Sequence, residues 1–237
     1  MSITVVIPAY NEEKRLGNTL EEAIKFLRKN FTDYEIIVVD DFSYDKTSFV
    51  ASKYKKQGCR VLRNERNRGK GYSVRRGFLE AKKENVLFMD SDLATPIGEL
   101  TKFMNHIKDF DIVIASRNMK ESDIRVIQPK FRQFLGKVFP LVIRIFVVRG
   151  FKDTQCGFKL FRTKVAKKIA SLQTLDGFAF DVEILYVAKK KGFRVKEVPV
   201  TWIDKKGSTV SAVRDGIKML KDSFGILKKD LAGKYRE

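Results

Sequence analysis

The amino-acid sequence predicts an α/β protein in which helices cover both faces of a mostly parallel sheet. Strand-like and helix-like patterns alternate along the first 116 residues, as expected when crossover helices connect parallel strands. Polar residues stand directly after several predicted strands, which is where such sheets bind ligands. The chain has 237 residues, 43% of them hydrophobic, enough for a substantial core.

The first half of the chain supplies most of the predicted elements. Apolar residues at Leu16, Leu20, Ile24 and Leu27 are spaced by 4, 4 and 3, which indicates a helix over residues 12–29. The other expected elements are strands at residues 3–8, 35–39, 60–62, 86–89 and 111–115, and helices at residues 45–56 and 70–83.

The second half has a different texture. Residues 117–130 are polar and irregular and predict a mobile loop, whereas residues 131–148 form a basic, strongly apolar helical pattern. Further expected elements are a segment with a turn at 153–162, a loop and helix at 177–191, a strand at 194–203 and a helical apolar stripe at 213–231. We expect one domain over residues 1–210, divided after residue 116, and an appended basic amphipathic helix over residues 211–237.

The composition limits the possible partners. Lys and Arg number 48 against 29 Asp and Glu, and the net charge of +19 favours an anionic partner: nucleic acid, lipid headgroups or a phosphorylated substrate. A merely solvated basic surface is the alternative. Two cysteines give neither a disulfide framework nor a zinc site. We find no run of about 20 apolar residues and no signal peptide, which predicts a cytoplasmic location.

Acidic and amide side chains follow three of the predicted strands. Because the carboxyl ends of parallel strands meet at one edge of a sheet, these clusters describe a common site. Asp90 and Asp92 can converge on one Mg²⁺ or Mn²⁺ ion where the chain turns, although solvated turn carboxylates or helix caps would look similar. The three clusters are Asn11-Glu12, Asp40-Asp41 and Asp90-Ser91-Asp92.

Several motifs resemble those of a known enzyme family. Residues 7–12 (Ile-Pro-Ala-Tyr-Asn-Glu), 38–41 (Val-Val-Asp-Asp) and 90–92 resemble the family 2 glycosyltransferases of the GT-A fold. Residues 153–161 and 178–183 are similar to polyprenyl-phosphate hexose synthases, especially the dolichyl-phosphate glucose synthases. The resemblance covers nearly the whole chain, with residues 1–116 as the nucleotide-sugar half and 117–210 as the acceptor half.

The resemblance implies an inverting transfer of a hexose from a nucleoside diphosphate sugar to dolichyl or another polyprenyl phosphate. The related mannose synthases read Asp-Ala-Asp-Leu-Gln, and the Gln assists their metal site. The corresponding residues 90–94 of this chain read Asp-Ser-Asp-Leu-Ala, and Ala94 has no side-chain atom that could bind a metal. That departure favours UDP-glucose over the alternative donor, GDP-mannose. The eukaryotic glucose synthases carry an N-terminal membrane anchor that is not apparent in this sequence, so we expect peripheral attachment to an anionic membrane surface.

The resemblance also assigns roles on the donor side. The resemblance assigns Asp92 as a direct metal ligand, whereas Asp90 either contacts the ribose or reaches the metal through water. Asp40 would accept a hydrogen bond from the base. Asp41 is either a turn residue or part of the site. The nucleoside would be bound by Pro8, Tyr10, Asn11, Glu12 and Ser91, and the donor covered by a segment carrying Arg66, Arg68 and Lys70, unless these are solvated loop cations.

To react, the phosphate acceptor requires positively charged side chains that bind it more than a side chain that acts as a catalytic base. A phosphate monoester has a second pKa of about 6 and arrives largely ionised, so the enzyme has to position it. Arg117 and Arg132 match positions that bind the acceptor phosphate in mannose synthases, and Lys206, in a loop later in the chain, would add a contact to it. The alternative is that the two arginines are ordinary surface residues. Asp181 stands where hydroxyl-using relatives have their general base, and we expect it to orient the sugar or the acceptor.

Two other functions would be compatible with parts of this sequence. A nucleotidylyltransferase would share the sheet but usually has a glycine-rich loop after its first strand, which is missing here. A nucleic-acid-binding module would explain the charge, yet three acidic clusters would repel phosphate, so we expect no nucleic acid. For the two apolar segments we expect membrane contact by residues 131–148 and core packing by residues 213–231; His106 is expected to be structural.

Overall fold

The computed structural model describes residues 1–125, 142–143, 145–204 and 214–236. Its strands are β1 (Ser2–Ala9), β2 (Asp33–Asp40), β3 (Cys59–Arg63), β4 (Asn85–Met89), β5 (Ile112–Ser116), β6 (Asp123–Arg125), β7 (Phe158–Arg162), β8 (Val195–Pro199) and β9 (Thr201–Ile203). Its helices are α1 (Leu16–Asn30), α2 (Thr47–Ser52), α3 (Lys70–Glu80), α4 (Leu100–His106), α5 (Thr163–Leu172), α6 (Phe180–Lys190) and α7 (Arg214–Leu231).

One large sheet organises the molecule. Its seven strands run in the order β3-β2-β1-β4-β7-β5-β8, and β6 pairs with β9 in a separate small sheet. All neighbours in the large sheet are parallel except β7, which is antiparallel to both β4 and β5. The predicted α/β architecture with a mostly parallel sheet is confirmed.

Side-chain alternation along the strands divides the core between the two faces of the sheet. In β1, Val5 and Ile7 point to the face covered by α1 and α4, whereas Val6 points to the face covered by α3, α5 and α6. All three side chains are fully buried. Helices therefore cover both faces, and the edge formed by strand ends is left for ligands.

Some elements differ from the sequence prediction, for local reasons. The helix expected over residues 45–56 stops at Ser52 and continues as a short 3₁₀ turn, which ends at Gly58 in a left-handed conformation (φ 84°). The strand expected over 194–203 is divided after Pro199, which has no N–H to donate. The expected loop at 117–130 contains β6, a strand of three exposed residues that pairs with β9.

The apolar stripe of the C-terminal helix is only partly in the core. Ile226 is fully buried, and Leu220 and Leu227 pack against the same core cluster. The other residues of the stripe, Ile217 and Phe224, are exposed, as is Leu231. The expectation of core packing therefore holds for one side of α7 only. Most of residues 131–148, and residue 213, lie outside the described residues.

Candidate active site

A cleft of about 660 Å³ opens where β1, β2 and β4 end. These three strands are parallel neighbours, so their carboxyl ends meet at one edge, as the sequence predicted. Predicted site residues that line the cleft are Pro8, Tyr10, Glu12, Asp90, Ser91 and Asp92, together with Arg68 and Lys70. Asp41 lines it as well, so the structure brings residues of all three acidic clusters to one cavity.

The backbone is strained after each of the three strands. Among the described residues, positive φ angles outside glycine occur at Asn11 (55°), Phe42 (66°) and Leu93 (55°). Such conformations cost about 1–3 kcal/mol each and persist only where the surroundings hold them. Here they turn the chain sharply at the cleft edge, so that polar side chains point inward.

Asp90 is held from two sides. Lys70 Nζ lies 2.6 Å from Asp90 Oδ1, and the Asp90 N–H donates to the Gly157 carbonyl at 3.0 Å. A Cβ atom on Gly157 would lie 2.0 Å from Asp90 Oδ2, so any other residue at position 157 would displace this carboxylate. The turn expected within residues 153–162 lies at Cys156-Gly157, and it supports the site through this contact.

Asp92 is partly buried, as is Asp90. Its Oδ1 accepts a hydrogen bond of 2.9 Å from the Ala94 N–H, so Ala94 helps the site through its backbone. Burial raises the pKa of Asp92, and the negative charge of Asp90 raises it further, against the opposing effects of Lys70 and Arg15. Two carboxylates that disfavour each other's charge form a site that a divalent cation would stabilise.

The donor set fits Mg²⁺ or Mn²⁺. In the part of the chain that the structure describes, no group of three or more His, Cys, Asp or Glu side chains surrounds a single point. The described residues offer two carboxylates, Asp90 and Asp92, and substrate oxygens and water would supply the remaining ligands. That is the usual arrangement for Mg²⁺ beside a diphosphate.

Some residues at the end of β1 line the cleft, whereas others hold the neighbouring loop in place. Pro8, Tyr10 and Glu12 line the cleft, and Arg15 forms a bidentate pair with Glu12 at 2.7 Å for both contacts. Asn11 instead bridges to the loop after β2: its N–H donates to Ser43 Oγ, and its Oδ1 accepts from the Tyr44 N–H, both at 2.9 Å. Its role in nucleoside binding remains a prediction.

The two aspartates after β2 have different surroundings. Asp40 is fully buried and does not line the cleft; its carboxylate accepts from Ser48 Oγ, from the Ser43 N–H at 2.9 Å and from Arg63 at 3.2 Å. Asp41 does line the cleft. Its carboxylate holds the next loop through Asn64 Nδ2 (2.6 Å) and through the N–H groups of Arg68 (2.9 Å) and Gly69 (2.7 Å). The contact of Asp40 with the base stays a prediction.

The proposed acceptor arginine is engaged elsewhere. Arg117 makes a bidentate pair with the buried carboxylate of Asp153, at 2.7 and 3.0 Å, and its guanidinium lies 5.5 Å from the Trp202 ring centroid. Burial would raise the pKa of Asp153, but Arg117 outweighs it and lowers that pKa to about 2. Arg117 is not among the cleft-lining residues, so its contact with the acceptor remains a prediction. Arg132 and Lys206 lie outside the described residues.

Asp181 is sealed beneath the cleft by a lysine that the sequence analysis missed. Lys159 is fully buried, pairs with Asp181 Oδ1 and donates to the Cys156 carbonyl at 2.7 Å. Burial raises the pKa of Asp181, while Lys159 and Lys70 oppose that rise. One signal was visible: Lys159 interrupts an otherwise apolar strand between Phe158 and Leu160, where a charge needs a buried partner.

A second wall of the cleft comes from late in the chain and was also missed. The loop before α6 contributes Asp176, which pairs with Arg68 at 3.3 Å, and α7 contributes Lys218. Glu183 fixes this loop, because its buried carboxylate accepts from the N–H groups of Thr174 (3.0 Å) and Leu175 (2.7 Å). Local sequence patterns carry no signal for contacts between segments this far apart.

Comparison with known proteins identifies the family of this chain. The sequence model of the family described as "Glycosyl transferase family 2" matches residues 4–170. Proteins named dolichyl-phosphate beta-glucosyltransferase are 39% identical in Drosophila melanogaster and 36% identical in Homo sapiens, over 100% and 99% of this chain and 77% of each relative.

Solved structures share the fold at lower sequence identity. Glucosyl-3-phosphoglycerate synthase from Mycobacterium tuberculosis, in complex with Mn²⁺, UDP-glucose and phosphoglyceric acid, has a TM-score of 0.68 at 18% identity, covering 95% of this chain and 78% of that one. Mannosyl-3-phosphoglycerate synthase from Rubrobacter xylanophilus has a TM-score of 0.70 at 19% identity, covering 100% and 76%.

Proposed function

The chain belongs to glycosyl transferase family 2, and from that membership we propose that it transfers glucose from UDP-glucose to dolichyl or another polyprenyl phosphate. The observation that carries the proposal is the position of Asp90 and Asp92 in the cleft at the end of β4, in a chain related along its whole length to dolichyl-phosphate beta-glucosyltransferases. The product would be dolichyl or polyprenyl glucosyl phosphate, in which the configuration at the anomeric carbon of glucose is inverted relative to UDP-glucose.

Asp92 and Asp90 would hold the divalent cation, Mn²⁺ or Mg²⁺. When bound, that cation supplies Lewis-acid stabilisation of the charge that grows on the leaving nucleoside diphosphate. Lys70 and Arg68 line the same cleft and add positive charge to it. The cations of this chain therefore bind and orient the diphosphate, while Pro8, Tyr10, Glu12 and Ser91 surround the nucleoside end.

The acceptor side fits a reaction without a protein base. A dianionic phosphate is already a nucleophile at neutral pH. Asp181 agrees with this requirement, because its carboxylate is buried and paired with Lys159, which leaves it poorly placed to take a proton from substrate. We propose that Asp181 fixes the floor of the cleft and so orients the sugar, and that Arg117 acts on the acceptor side of it.

The enzyme would meet its lipid substrate from the surface of an anionic membrane. Within the described residues, no helix is long and apolar enough to span a bilayer. An exposed apolar patch is nevertheless present, formed by Ile145, Phe146, Ile217, Phe224 and Leu231, with the rings of Phe146 and Phe224 6.3 Å apart. Exposed Lys221 and Lys228 lie on the same helix, as expected for an interfacial helix on anionic lipid.

The enzymatic proposal is tested by supplying radiolabelled UDP-glucose or GDP-mannose with polyprenyl phosphate and Mn²⁺. We expect lipid-linked glucose to form from UDP-glucose, and chelation of the metal to abolish it. Asp92→Ala should remove turnover and keep the fold, whereas the exposed Asp109→Ala on the same chain should remain active. Mannose transfer at the higher rate would overturn the donor assignment, and full activity of Asp92→Ala would overturn the metal assignment.

The membrane proposal is tested by sedimentation with vesicles that contain or lack phosphatidylserine. We expect wild-type protein to bind the acidic vesicles and the Ile217→Ser/Phe224→Ser variant to lose most of that binding. Leu79→Ser is the matched control, since Leu79 is an exposed apolar residue on α3, away from the patch. Equal binding by all three proteins would show that the patch does not contact lipid.

A further inference from the structure

The cations that line the cleft are not equally available. Arg15, Arg68 and Lys70 each pair with a carboxylate: Glu12, Asp176 and Asp90, respectively. Lys218 also lines the cleft, and among the described residues it is paired with no carboxylate. Its ammonium group can therefore bind an anion without giving up an ion pair to any of the described carboxylates.

The position of Lys218 links the cleft to the apolar patch. Lys218 lies on α7 together with Met219 and Asp222, which line the same wall of the cleft. The preceding residue, Ile217, is 59% exposed and belongs to the patch. One turn of one helix thus faces the cleft on one side and the patch on the other.

We propose that Lys218 binds the phosphate group of the lipid acceptor where it enters the cleft. The inference rests on the proposed function, and it adds a binding residue that the sequence analysis did not identify. If the hydrocarbon chain of the polyprenyl phosphate lies in the membrane beside Ile217, its phosphate group would enter the cleft next to Lys218. A charge-assisted contact to a phosphate oxygen stabilises it there.

Steady-state kinetics with a short-chain acceptor, citronellyl phosphate in detergent, would test this role without a membrane. We expect Lys218→Met to raise the KM for the acceptor about tenfold, the effect of losing one charge-assisted hydrogen bond, while the KM for UDP-glucose stays unchanged. Lys218→Arg should keep most of the acceptor affinity. The matched control is Lys25→Met, an exposed lysine on α1, which covers the other face of the sheet.

The outcomes separate this inference from the proposed function. If wild-type protein transfers no glucose to citronellyl phosphate or to a longer polyprenyl phosphate, the proposed function fails. If wild-type protein is active and Lys218→Met has the wild-type acceptor KM, the inference alone is overturned. An equal rise of both KM values would assign Lys218 to the donor diphosphate and would also overturn it.

Discussion

Two lysine–aspartate pairs flank the ring of Phe88, and they differ in their access to water. Lys70 Nζ lies 5.3 Å and Lys159 Nζ 5.7 Å from the ring centroid. The side chains of Lys70 and Asp90 are 24% and 33% exposed, whereas those of Lys159 and Asp181 are 0% and 6% exposed. The first pair can rearrange when a ligand enters the cleft; the second cannot separate without leaving a charge buried. One pair therefore serves binding and the other serves the framework.

The largest expected effect comes from breaking the buried pair. Lys159→Met leaves the Asp181 carboxylate without its partner, and we expect the free energy of unfolding to fall by about 3–5 kcal/mol. Urea denaturation measures the loss. The double variant Lys159→Met/Asp181→Asn should lose less, because no unpaired charge remains. A loss below about 1 kcal/mol in the single variant would contradict the structural role of this pair.

A smaller effect on stability but a large one on activity is expected from Gly157→Ala. The new Cβ would lie 2.0 Å from Asp90 Oδ2, so the carboxylate has to move. We expect glucose transfer to fall at least about hundredfold and the free energy of unfolding to fall by about 1–3 kcal/mol. Gly98→Ala is the control, because nothing lies within 4 Å of its added Cβ. Wild-type activity in Gly157→Ala would show that the position of Asp90 is not critical.

Lys70→Met addresses the water-accessible pair. We expect the free energy of unfolding to change by less than about 1 kcal/mol, since the pair is partly exposed. Mn²⁺ should bind about tenfold more tightly at low ionic strength, because a positive charge next to Asp90 and Asp92 has been removed. Titration calorimetry with Mn²⁺ checks this change, with Lys25→Met as control. Unchanged or weaker Mn²⁺ binding would place the metal away from Asp90.

The smallest expected effect is the pH dependence of stability due to Asp92. Because its pKa is raised by burial and by Asp90, the folded protein holds this proton more tightly than the unfolded chain. Its contribution to the free energy of unfolding therefore falls as pH rises from the ordinary aspartate value of about 3.9 through the raised pKa.

Asp92→Asn removes this contribution, so the change in stability between pH 4 and pH 7 should differ from that of wild type by about 1 kcal/mol or less. Urea titrations at the two pH values measure the difference. Asp153 acts in the opposite direction, because its pKa of about 2 makes its stabilisation disappear as pH falls. A stronger decline of stability with rising pH in Asp92→Asn than in wild type would contradict the sign.

The sequence allowed the water-accessible side of this comparison to be predicted, but not the buried side. Asp90 and Asp92 follow a run of apolar residues that reads as a strand, and parallel strands bring their ends together, so their place in a cleft could be inferred. Lys159 and Asp181 are 22 positions apart in different elements. Their contact depends on how β7 and α6 pack, which no local pattern encodes.

Other misses have the same origin. α5 was not predicted, although its buried residues Val165, Ala166 and Ile169 have helical spacing. Lys218 was included only as part of the basic amphipathic helix expected over residues 211–237, since its role depends on which side of α7 meets the cleft. Of the Asp40-Asp41 pair, Asp41 lines the cleft, a distinction that requires the conformation of the strand end.

The antiparallel strand β7 has a consequence for dissecting the chain. β4 and β5, both within residues 1–116, are not neighbours; β7, which comes after residue 150, lies between them and hydrogen-bonds to both. A fragment that ends at residue 116 would lack the strand that joins β4 to β5 and the Gly157 carbonyl that receives the Asp90 N–H. The two halves are therefore interlocked, and neither is expected to survive as an autonomous folding unit.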